Sequence, residues 1–312
     1  MSRHQSNCTR RDFMQVLAGL AAGALGIPAQ GTAPTDASPL TRRIPTTGET
    51  LPALGMGTWV TFNVGEDSQL RAHRVRILRA FFENGGALID SSPMYGSSEA
   101  VIGHCLEQLG RPEAGFSATK VWTWRTGAGP EQMAESRRLW GTQGFDLMQV
   151  HNLLSWRGHL ETLKADKAEG RARYIGVTTS HGRRHDELER IMTREPIDFV
   201  QLTYNIIDRD AEQRLLPMAA ERGLAVIINR PFRHKQLFHR YAHHPLPPWA
   251  DEVGASTWAE FFLKFILSHP SVTCAIPATA SVEHMRQNMR ALHGRLPEAR
   301  QRLDMVRYVE RL

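Results

Sequence analysis

The chain has 312 residues, of which 41% are hydrophobic and 22% are charged, and its formal net charge is +6. This composition is typical of a soluble globular protein, and the length is enough for one large α/β barrel or two ordinary domains. The basic residues are scattered singly among acidic ones, which argues against a nucleic-acid partner and suits an anionic cofactor. The three cysteines, Cys8, Cys105 and Cys274, lack metal-ligand spacing, so we expect neither disulfides nor a metal site.

The first thirty residues have the order of a targeting signal. Arg10 and Arg11 form a twin-arginine pair, and an apolar stretch rich in Ala and Gly follows at residues 16–27. That stretch is too short to span a bilayer. We therefore expect residues 1–29 to be a signal peptide for the twin-arginine translocation machinery and residues 30–42 to be a linker. The folded protein is then expected in the periplasm; the alternative is a disordered tail with an accidental arginine pair.

Residues 43–312 contain the pattern of the folded domain. A turn-rich centre at residues 46–49, flanked by apolar residues, predicts a β-hairpin. Eight short apolar runs then predict strands, at residues 54–58, 87–90, 116–120, 147–151, 174–178, 199–203, 225–229 and 274–277. Helical patterns lie between most of them, at residues 69–83, 131–140, 160–169, 185–193 and 210–222. A further helical pattern at residues 257–267 follows a histidine-rich loop, residues 232–249, which is a candidate lid.

Strands that are apolar along their whole length are typical of a parallel sheet covered by helices. Eight strand and helix units predict an α/β fold of the (β/α)8 TIM barrel type, preceded by the N-terminal β-hairpin. An open doubly wound sheet is the alternative. It is disfavoured because no G-x-G-x-x-G pattern follows the first strand.

Titratable residues follow three successive predicted strands. Asp90 and Tyr95 come after one strand, Lys120 ends the next, and His151 ends the third. Because the carboxyl ends of parallel strands lie on one face, we expect these side chains to meet there. Taken singly, each has an ordinary structural alternative: a helix cap, packing, a solvated charge or a buried histidine. Agreement among four positions favours a site.

These four residue types suit the reduction of a carbonyl group. Tyr95 can supply the proton, although an unperturbed phenol with a pKa near ~10 is a weak acid at neutral pH. An ammonium at Lys120 is expected to lower that pKa, and Asp90 to keep the ammonium charged. His151 is expected to orient and polarise the substrate oxygen.

Several motifs, taken in order, resemble the aldo-keto reductases, and most closely the bacterial and potassium-channel β-subunit-like branches. They lie at residues 54–59, 89–96, 119–120, 149–152, 173–177, 201–205 and 276–279. The resemblance implies an NAD(P)H-dependent carbonyl reductase on a (β/α)8 barrel. It also implies a catalytic tetrad of Asp90, Tyr95, Lys120 and His151.

The resemblance further implies which residues bind the cofactor, which would be NADPH with NADH as the alternative. The implied positions are Gly57, Thr58, Trp59, Thr178, Thr179, Gln201, Asn229, Arg230, Thr279, His284, Gln287 and Asn288. Two positions depart from the family pattern. Thr178 and Thr179 replace a usual Ser-Asn pair, and Asn229 stands where a tyrosine commonly stacks on the nicotinamide.

Trp59, Trp122 and Trp124 follow the first and third predicted barrel strands and predict an aromatic wall for a small carbonyl substrate, unless they only pack loops onto the barrel rim. Two other functions are weighed against reduction. A nucleotide-binding regulatory protein of the channel β-subunit type would bind cofactor with little turnover. A metal-dependent hydrolase would need a carboxylate and histidine cluster, which the sequence lacks.

Overall fold

The structure is a computed structural model, and it describes residues 38–111 and 115–312. The predicted signal peptide, Cys8 and most of the predicted linker lie outside the described residues. Within those ranges no helix combines the length and the apolar character needed to cross a bilayer. The first described strand begins at Thr41.

A two-stranded antiparallel hairpin precedes the barrel, as predicted. Its strands are β1 (Thr41–Arg43) and β2 (Thr50–Pro52), with Arg42 opposite Leu51. Ile44 and Leu51 are buried and join the apolar interior of the barrel. The Glu49 carboxylate accepts a hydrogen bond from the Tyr174 hydroxyl at 2.6 Å. The hairpin therefore closes the end of the barrel opposite the carboxyl ends of the strands.

Eight parallel strands form the barrel and confirm the predicted fold. In chain order they are β3 (Met56–Gly57), β4 (Leu88–Asp90), β5 (Phe116–Val121), β6 (Phe145–Val150), β7 (Ala172–Thr178), β8 (Phe199–Thr203), β9 (Ala225–Asn229) and β10 (Cys274–Ala275). Each strand pairs with the next along the chain. An isolated bridge between Leu54, two residues before β3, and Ala275 of β10 brings the last strand beside the first, so the barrel is nearly closed.

Ten α-helices occur in the described part of the chain. They are α1 (Ser68–Glu83), α2 (Ser98–Gln108), α3 (Gly129–Trp140), α4 (Trp156–Ala168), α5 (His185–Arg194), α6 (Leu215–Arg222), α7 (Gln236–Tyr241), α8 (Trp258–Leu267), α9 (Val282–Arg290) and α10 (Ala299–Glu310). The helix predicted at residues 210–222 is wrong in its first half, which is a short 3-10 helix at Asp210–Glu212. Pro217 explains the late start of α6, since proline lacks an amide hydrogen and is tolerated only in the first helical turn.

Alternation along the strands divides the barrel interior into layers. Successive side chains of a strand point to opposite faces, so residues two apart share the interior. In the lower layers these side chains are apolar, and three aromatic rings, Phe116, Tyr174 and Phe199, lie 5.4–6.2 Å apart. The next inward positions, nearer the carboxyl ends, are polar. The same period of two thus brings Lys120 and Gln201 above Phe116 and Phe199.

Candidate active site

A buried ion pair forms the centre of the polar layer. The Lys120 side chain is fully buried, and its Nζ donates to Asp90 Oδ2 at 2.6 Å and to the Ser91 main-chain oxygen at 2.7 Å. Burial is the main cause that lowers the pKa of Lys120, while the charges of Asp90 and Glu99 oppose it. The ammonium therefore depends on Asp90 for its stability in this site.

The other oxygen of Asp90 accepts from two glutamines. Gln201 Nε2 lies 2.9 Å and Gln149 Nε2 lies 3.3 Å from Asp90 Oδ1. The Thr58 hydroxyl donates to the Asp90 main-chain oxygen at 2.9 Å and holds the strand end. Together with Lys120, three side-chain donors surround the carboxylate, which satisfies a charge that is otherwise costly to bury.

Tyr95 enters the site on the turn after β4. A short 3-10 helix, Pro93–Tyr95, begins after Ser92, whose hydroxyl accepts from the Met94 amide at 3.2 Å. The next residue, Gly96, has a φ of +61°, and a Cβ there would lie 2.5 Å from Asn63 Oδ1. Only glycine fits this position without strain. The turn is therefore fixed on both sides of the tyrosine.

The four predicted side chains converge. Lys120 Nζ lies 5.4 Å from the centre of the Tyr95 ring. The rings of Tyr95 and His151 lie 5.7 Å apart and meet edge to face. With Asp90 bonded to Lys120, the phenol, the ammonium, the carboxylate and the imidazole form one contiguous group at the barrel mouth.

His151 is buried and neutral at ordinary pH. Its Nδ1 lies 2.8 Å from the Ser92 hydroxyl, and Nε2 makes no hydrogen bond to any described residue. Burial, and then the charge of Lys120, lowers the pKa of His151 well below its usual value. A neutral imidazole can donate from only one nitrogen, so the position of its single proton matters for its role.

The sequence predicts that Lys120 lowers the pKa of Tyr95, and the structure gives the opposite direction. Burial is the main cause that raises the pKa of Tyr95, and the negative charge of Asp90 adds to it. The hydroxyl has no hydrogen-bond partner among the described residues, yet it is not sealed from solvent. The phenol therefore holds its proton at neutral pH and presents it at the mouth.

The residues implied for the nicotinamide lie beside this group. Asn229 Nδ2 donates to the Thr179 main-chain oxygen at 2.8 Å, and Asn229 Oδ1 accepts from the Thr203 hydroxyl at 2.7 Å. The Thr178 hydroxyl accepts from the Asn152 amide at 2.9 Å. Thr179 Oγ1 is buried without a hydrogen-bond partner. An orphaned hydroxyl beside amide side chains fits a ligand that carries a carboxamide, because such a group offers both donors and an acceptor.

Cationic side chains occupy the loop after β9. Arg230 contacts His181 Nε2, and the His234 ring lies 4.3 Å from the Trp59 ring. Arg230, Arg233, His234 and Lys235 all have positive φ values, so the backbone turns sharply here. Arg233 pairs with Asp208 at 3.1 Å, and burial lowers the pKa of His234 to about 4, so Arg230 and Lys235 carry the positive charge of this loop that suits the phosphates of a dinucleotide.

The residues implied for the adenosine phosphate lie around the start of α9. Thr279 Oγ1 accepts from the Ser281 amide at 3.1 Å, and the Ser281 hydroxyl caps the helix through the His284 amide at 3.3 Å. His284 is exposed, Gln287 is half-buried and Asn288 is buried. The positive end of this helix favours an anion near Thr279 and His284, whereas Asn288 packs into the protein.

Exposed tryptophans follow β3 and β5, the two strands that flank β4 and its Tyr95 turn. Trp59 and Trp122 are 40% and 41% exposed, and Trp124 is 80% exposed. Val60, next to Trp59, and Met94, next to Tyr95, are also exposed apolar residues, and the sequence did not point to them. Gly57 and Thr58, the other implied cofactor positions, are buried at the end of β3.

Sequence reasoning missed Ser92 and Gln149, although both contact the tetrad. Gln149 lies two residues before His151, so strand alternation could have placed it in the same layer. No signal in the sequence distinguishes Ser92 from its neighbour Ser91. Across the described ranges, no cluster of three or more His, Cys, Asp or Glu residues is placed to hold a metal ion.

Comparisons with known proteins show the family to which the chain is similar. The model of the Aldo/keto reductase family matches residues 53–303. Methylglyoxal reductase YeaE of Escherichia coli (strain K12) is 31% identical over 271 residues, which cover 80% of this chain and 88% of that protein.

Solved structures agree as well. An aldo/keto reductase from Klebsiella pneumoniae in complex with NADP and acetate is 27% identical, with a TM-score of 0.72 over 84% of this chain and 93% of the other. An aldo-keto reductase from the same organism in complex with NADPH is 26% identical, with a TM-score of 0.73 over 88% and 96% of the two chains.

Proposed function

This chain belongs to the aldo/keto reductase family, and from that premise we propose that it reduces an aldehyde or ketone with Tyr95 as the proton donor. It is an NAD(P)-dependent oxidoreductase. When bound, the nicotinamide supplies the hydride that adds to the carbonyl carbon. Thr179, Gln201 and Asn229 would hold its carboxamide, and the loop after β9 would face its phosphates.

Tyr95 supplies the proton that the carbonyl oxygen needs. As the carbon accepts hydride, the C=O π electrons move onto oxygen, and that oxygen becomes a strong base. A phenol with a raised pKa keeps its proton until this charge develops and then transfers it, leaving an alcohol and a phenolate. The Lys120 ammonium, 5.4 Å from the ring, stabilises that phenolate.

His151 orients the same oxygen. Its imidazole is neutral and lies edge-on to the Tyr95 ring, so Nε2 is near the carbonyl oxygen that the phenol protonates. A donor at this position stabilises negative charge as it forms. The convergence of Tyr95, Lys120, Asp90 and His151 at the barrel mouth is the single observation that carries the proposal.

Tyr95→Phe tests the role of the phenol. We expect NADPH binding, measured by nicotinamide fluorescence, to be retained, and turnover with aldehydes to fall roughly 100-fold or more. Tyr308→Phe is the matched control, because it removes a hydroxyl from α10 that donates only to the Pro245 main-chain oxygen at 2.9 Å. Wild-type binding of NADPH without oxidation by any carbonyl would instead support a nucleotide-binding regulatory protein.

We also propose an apolar or aromatic aldehyde as the preferred substrate, because exposed Trp59 and Trp122 follow the two strands that flank β4 and its Tyr95 turn. The Escherichia coli relative is a methylglyoxal reductase, which makes a small dicarbonyl the natural comparison. Measuring kcat/KM for benzaldehyde and for methylglyoxal separates the two. A clear preference for methylglyoxal would contradict the aromatic wall.

Export remains a proposal that rests on the sequence of the N-terminal segment. We propose that Arg10 and Arg11 direct the folded protein through the twin-arginine route to the periplasm. That route carries folded proteins, which would let a cytosolic nucleotide travel in the site. Replacing both arginines with lysine should leave the full-length chain in the cytoplasmic fraction. Unchanged fractionation of the double variant would count against this route.

A further inference from the structure

A buried hydrogen bond joins Ser92 to the imidazole of His151. Ser92 Oγ lies 2.8 Å from His151 Nδ1, the Ser92 side chain is fully buried, and His151 is 5% exposed. Hydrogen positions are not fixed by heavy atoms alone, so either atom can be the donor in principle. The other contacts of the serine decide the direction.

The Ser92 hydroxyl already accepts one hydrogen bond. The Met94 amide donates to Ser92 Oγ at 3.2 Å, and an amide nitrogen has no free lone pair, so the serine hydroxyl cannot donate to it in return. In the described part of the chain the hydroxyl makes only these two bonds, to Met94 and to His151. A hydroxyl has one hydrogen to donate, and leaving it unused in a buried site is costly. The hydroxyl hydrogen therefore points at Nδ1.

This direction assigns the proton of the imidazole. If Nδ1 accepts from the serine, the single proton of the neutral ring sits on Nε2. The opposite tautomer would turn the Nε2 lone pair toward the reacting oxygen and repel its developing charge. A doubly protonated ring would carry a hydrogen on both nitrogens and have no tautomers. Burial and the charge of Lys120 lower the pKa of His151, so that form does not occur at neutral pH.

We propose that Ser92 is a positioning residue that holds His151 in the Nε2–H tautomer, so that Nε2 donates a hydrogen bond to the substrate carbonyl oxygen. The inference rests on the proposed reductase function for its consequence, but the tautomer itself does not. The turn that carries Tyr95 begins at Ser92, so one residue orders both groups that act on the oxygen.

The tautomer can be read directly by nitrogen NMR of the full, uniformly labelled protein. His151→Gln identifies the His151 signals among the 14 histidines. In wild type we expect a protonated Nε2 and an unprotonated, hydrogen-bonded Nδ1. A wild-type spectrum with the proton on Nδ1 overturns the proposal whether or not any variant folds.

Variants at Ser92 test the cause. Ser92→Ala should give a mixture of tautomers, and Ser92→Thr, which keeps the hydroxyl, should restore the wild-type form. Ser91→Ala is the matched control, since it removes an adjacent buried hydroxyl that lies 3.0 Å from the Thr58 hydroxyl and does not contact His151. Its His151 spectrum should match wild type. An unmixed Nε2–H form in folded Ser92→Ala would refute the role of the serine.

Kinetics then test the consequence. For Ser92→Ala we expect kcat to fall roughly three- to tenfold with a smaller change in KM, as expected for loss of one buried hydrogen bond felt in the transition state. Wild-type kcat in a variant with mixed tautomers overturns the proposed consequence. If wild type reduces no carbonyl, the proposed function fails, while the spectrum still decides the tautomer.

Discussion

Asp90→Asn should strongly destabilise the protein, because it removes the counter-charge of a fully buried lysine. The side chains of Lys120 and Asp90 are 0% and 2% exposed, and their charged atoms lie 2.6 Å apart. At an effective dielectric constant of ~20 their attraction is about 6 kcal/mol, which offsets the cost of burying both charges. Loss of one partner of such a pair costs about 3–5 kcal/mol. The oxygen of the new amide could accept from Gln149 or Gln201 only if its NH2 group faced the Lys120 ammonium.

The free energy of unfolding from denaturant titration is the assay. Asp90→Asn should lower it by about 3–5 kcal/mol. The double variant Asp90→Asn/Lys120→Met should lose much less unfolding free energy than the sum of the losses in the two single variants. Glu135→Gln is the control. It removes a carboxylate from an exposed pair with Arg138, and we expect little change.

The pH dependence gives a second, signed test of the same variant. Burial lowers the pKa of Lys120 in the folded state, and without Asp90 it should fall further, while the unfolded value stays at about 10.5. Between these values the unfolded state binds more protons, so the unfolding free energy rises with pH. The deficit of Asp90→Asn relative to wild type should therefore narrow as the pH rises through the further lowered pKa of Lys120 in the variant. A small, additive and pH-independent loss would refute the view that Asp90 exists to keep Lys120 charged.

Three further predictions follow from single contacts. Thr179→Val removes a buried hydroxyl without a partner, so the unfolding free energy of the unliganded protein should stay level or rise by up to about 1 kcal/mol. The Kd for NADPH, measured by nicotinamide fluorescence, should rise roughly threefold or more. A less stable protein would mean that the hydroxyl is already satisfied. His151 has a lowered pKa in the folded state, so below about pH 6.5 the unfolded state binds more protons and wild type should lose stability as the pH falls. In denaturant titrations at several pH values, His151→Gln should reduce this dependence of the unfolding free energy on pH. Trp122→Ala should raise KM for benzaldehyde roughly three- to tenfold and leave KM for methylglyoxal unaffected. Truncation of Leu303, which is 58% exposed on α10, to alanine is the control; equal effects of Trp122→Ala on both substrates would argue against an aromatic wall.

Much of the fold could be predicted because apolar residues recur every two residues in strands and every 3.6 residues in helices, and both periods are local signals. The eight apolar runs correspond to the eight barrel strands, and the hairpin lies where turn residues interrupt a β pattern. Two helices show the limits. The predicted helices do not include α2, and the predicted start of α6 is too early because Pro217 limits where that helix can begin. Helix boundaries depend on single residues, which a periodic pattern averages out.

The candidate site was predictable as a set of residues and less so as a set of contacts. Strand ends located Asp90, Lys120 and His151, since parallel strands present their carboxyl ends together. The partner of Gln201 was not predictable in this way. The resemblance assigns it to the nicotinamide, and in the structure its amide nitrogen also donates to Asp90 at 2.9 Å. Contacts of this kind depend on which side chains share a layer of the barrel. That grouping exists only in the folded barrel and cannot be read from one strand at a time.

The direction of the Tyr95 pKa depends on the balance between two charges and burial. A lone ammonium 5.4 Å from the ring would favour the phenolate, which is why the sequence predicts a lowered pKa. In the structure Asp90 is bonded to that ammonium, so its negative charge opposes the effect of the positive one on the phenol, and burial then prevails. The residue that keeps Lys120 charged therefore also keeps Tyr95 a weak acid. Proton release must then depend on the substrate oxygen as it gains charge, which limits the loss of the proton in the empty site and makes Tyr95 act only when a carbonyl is being reduced.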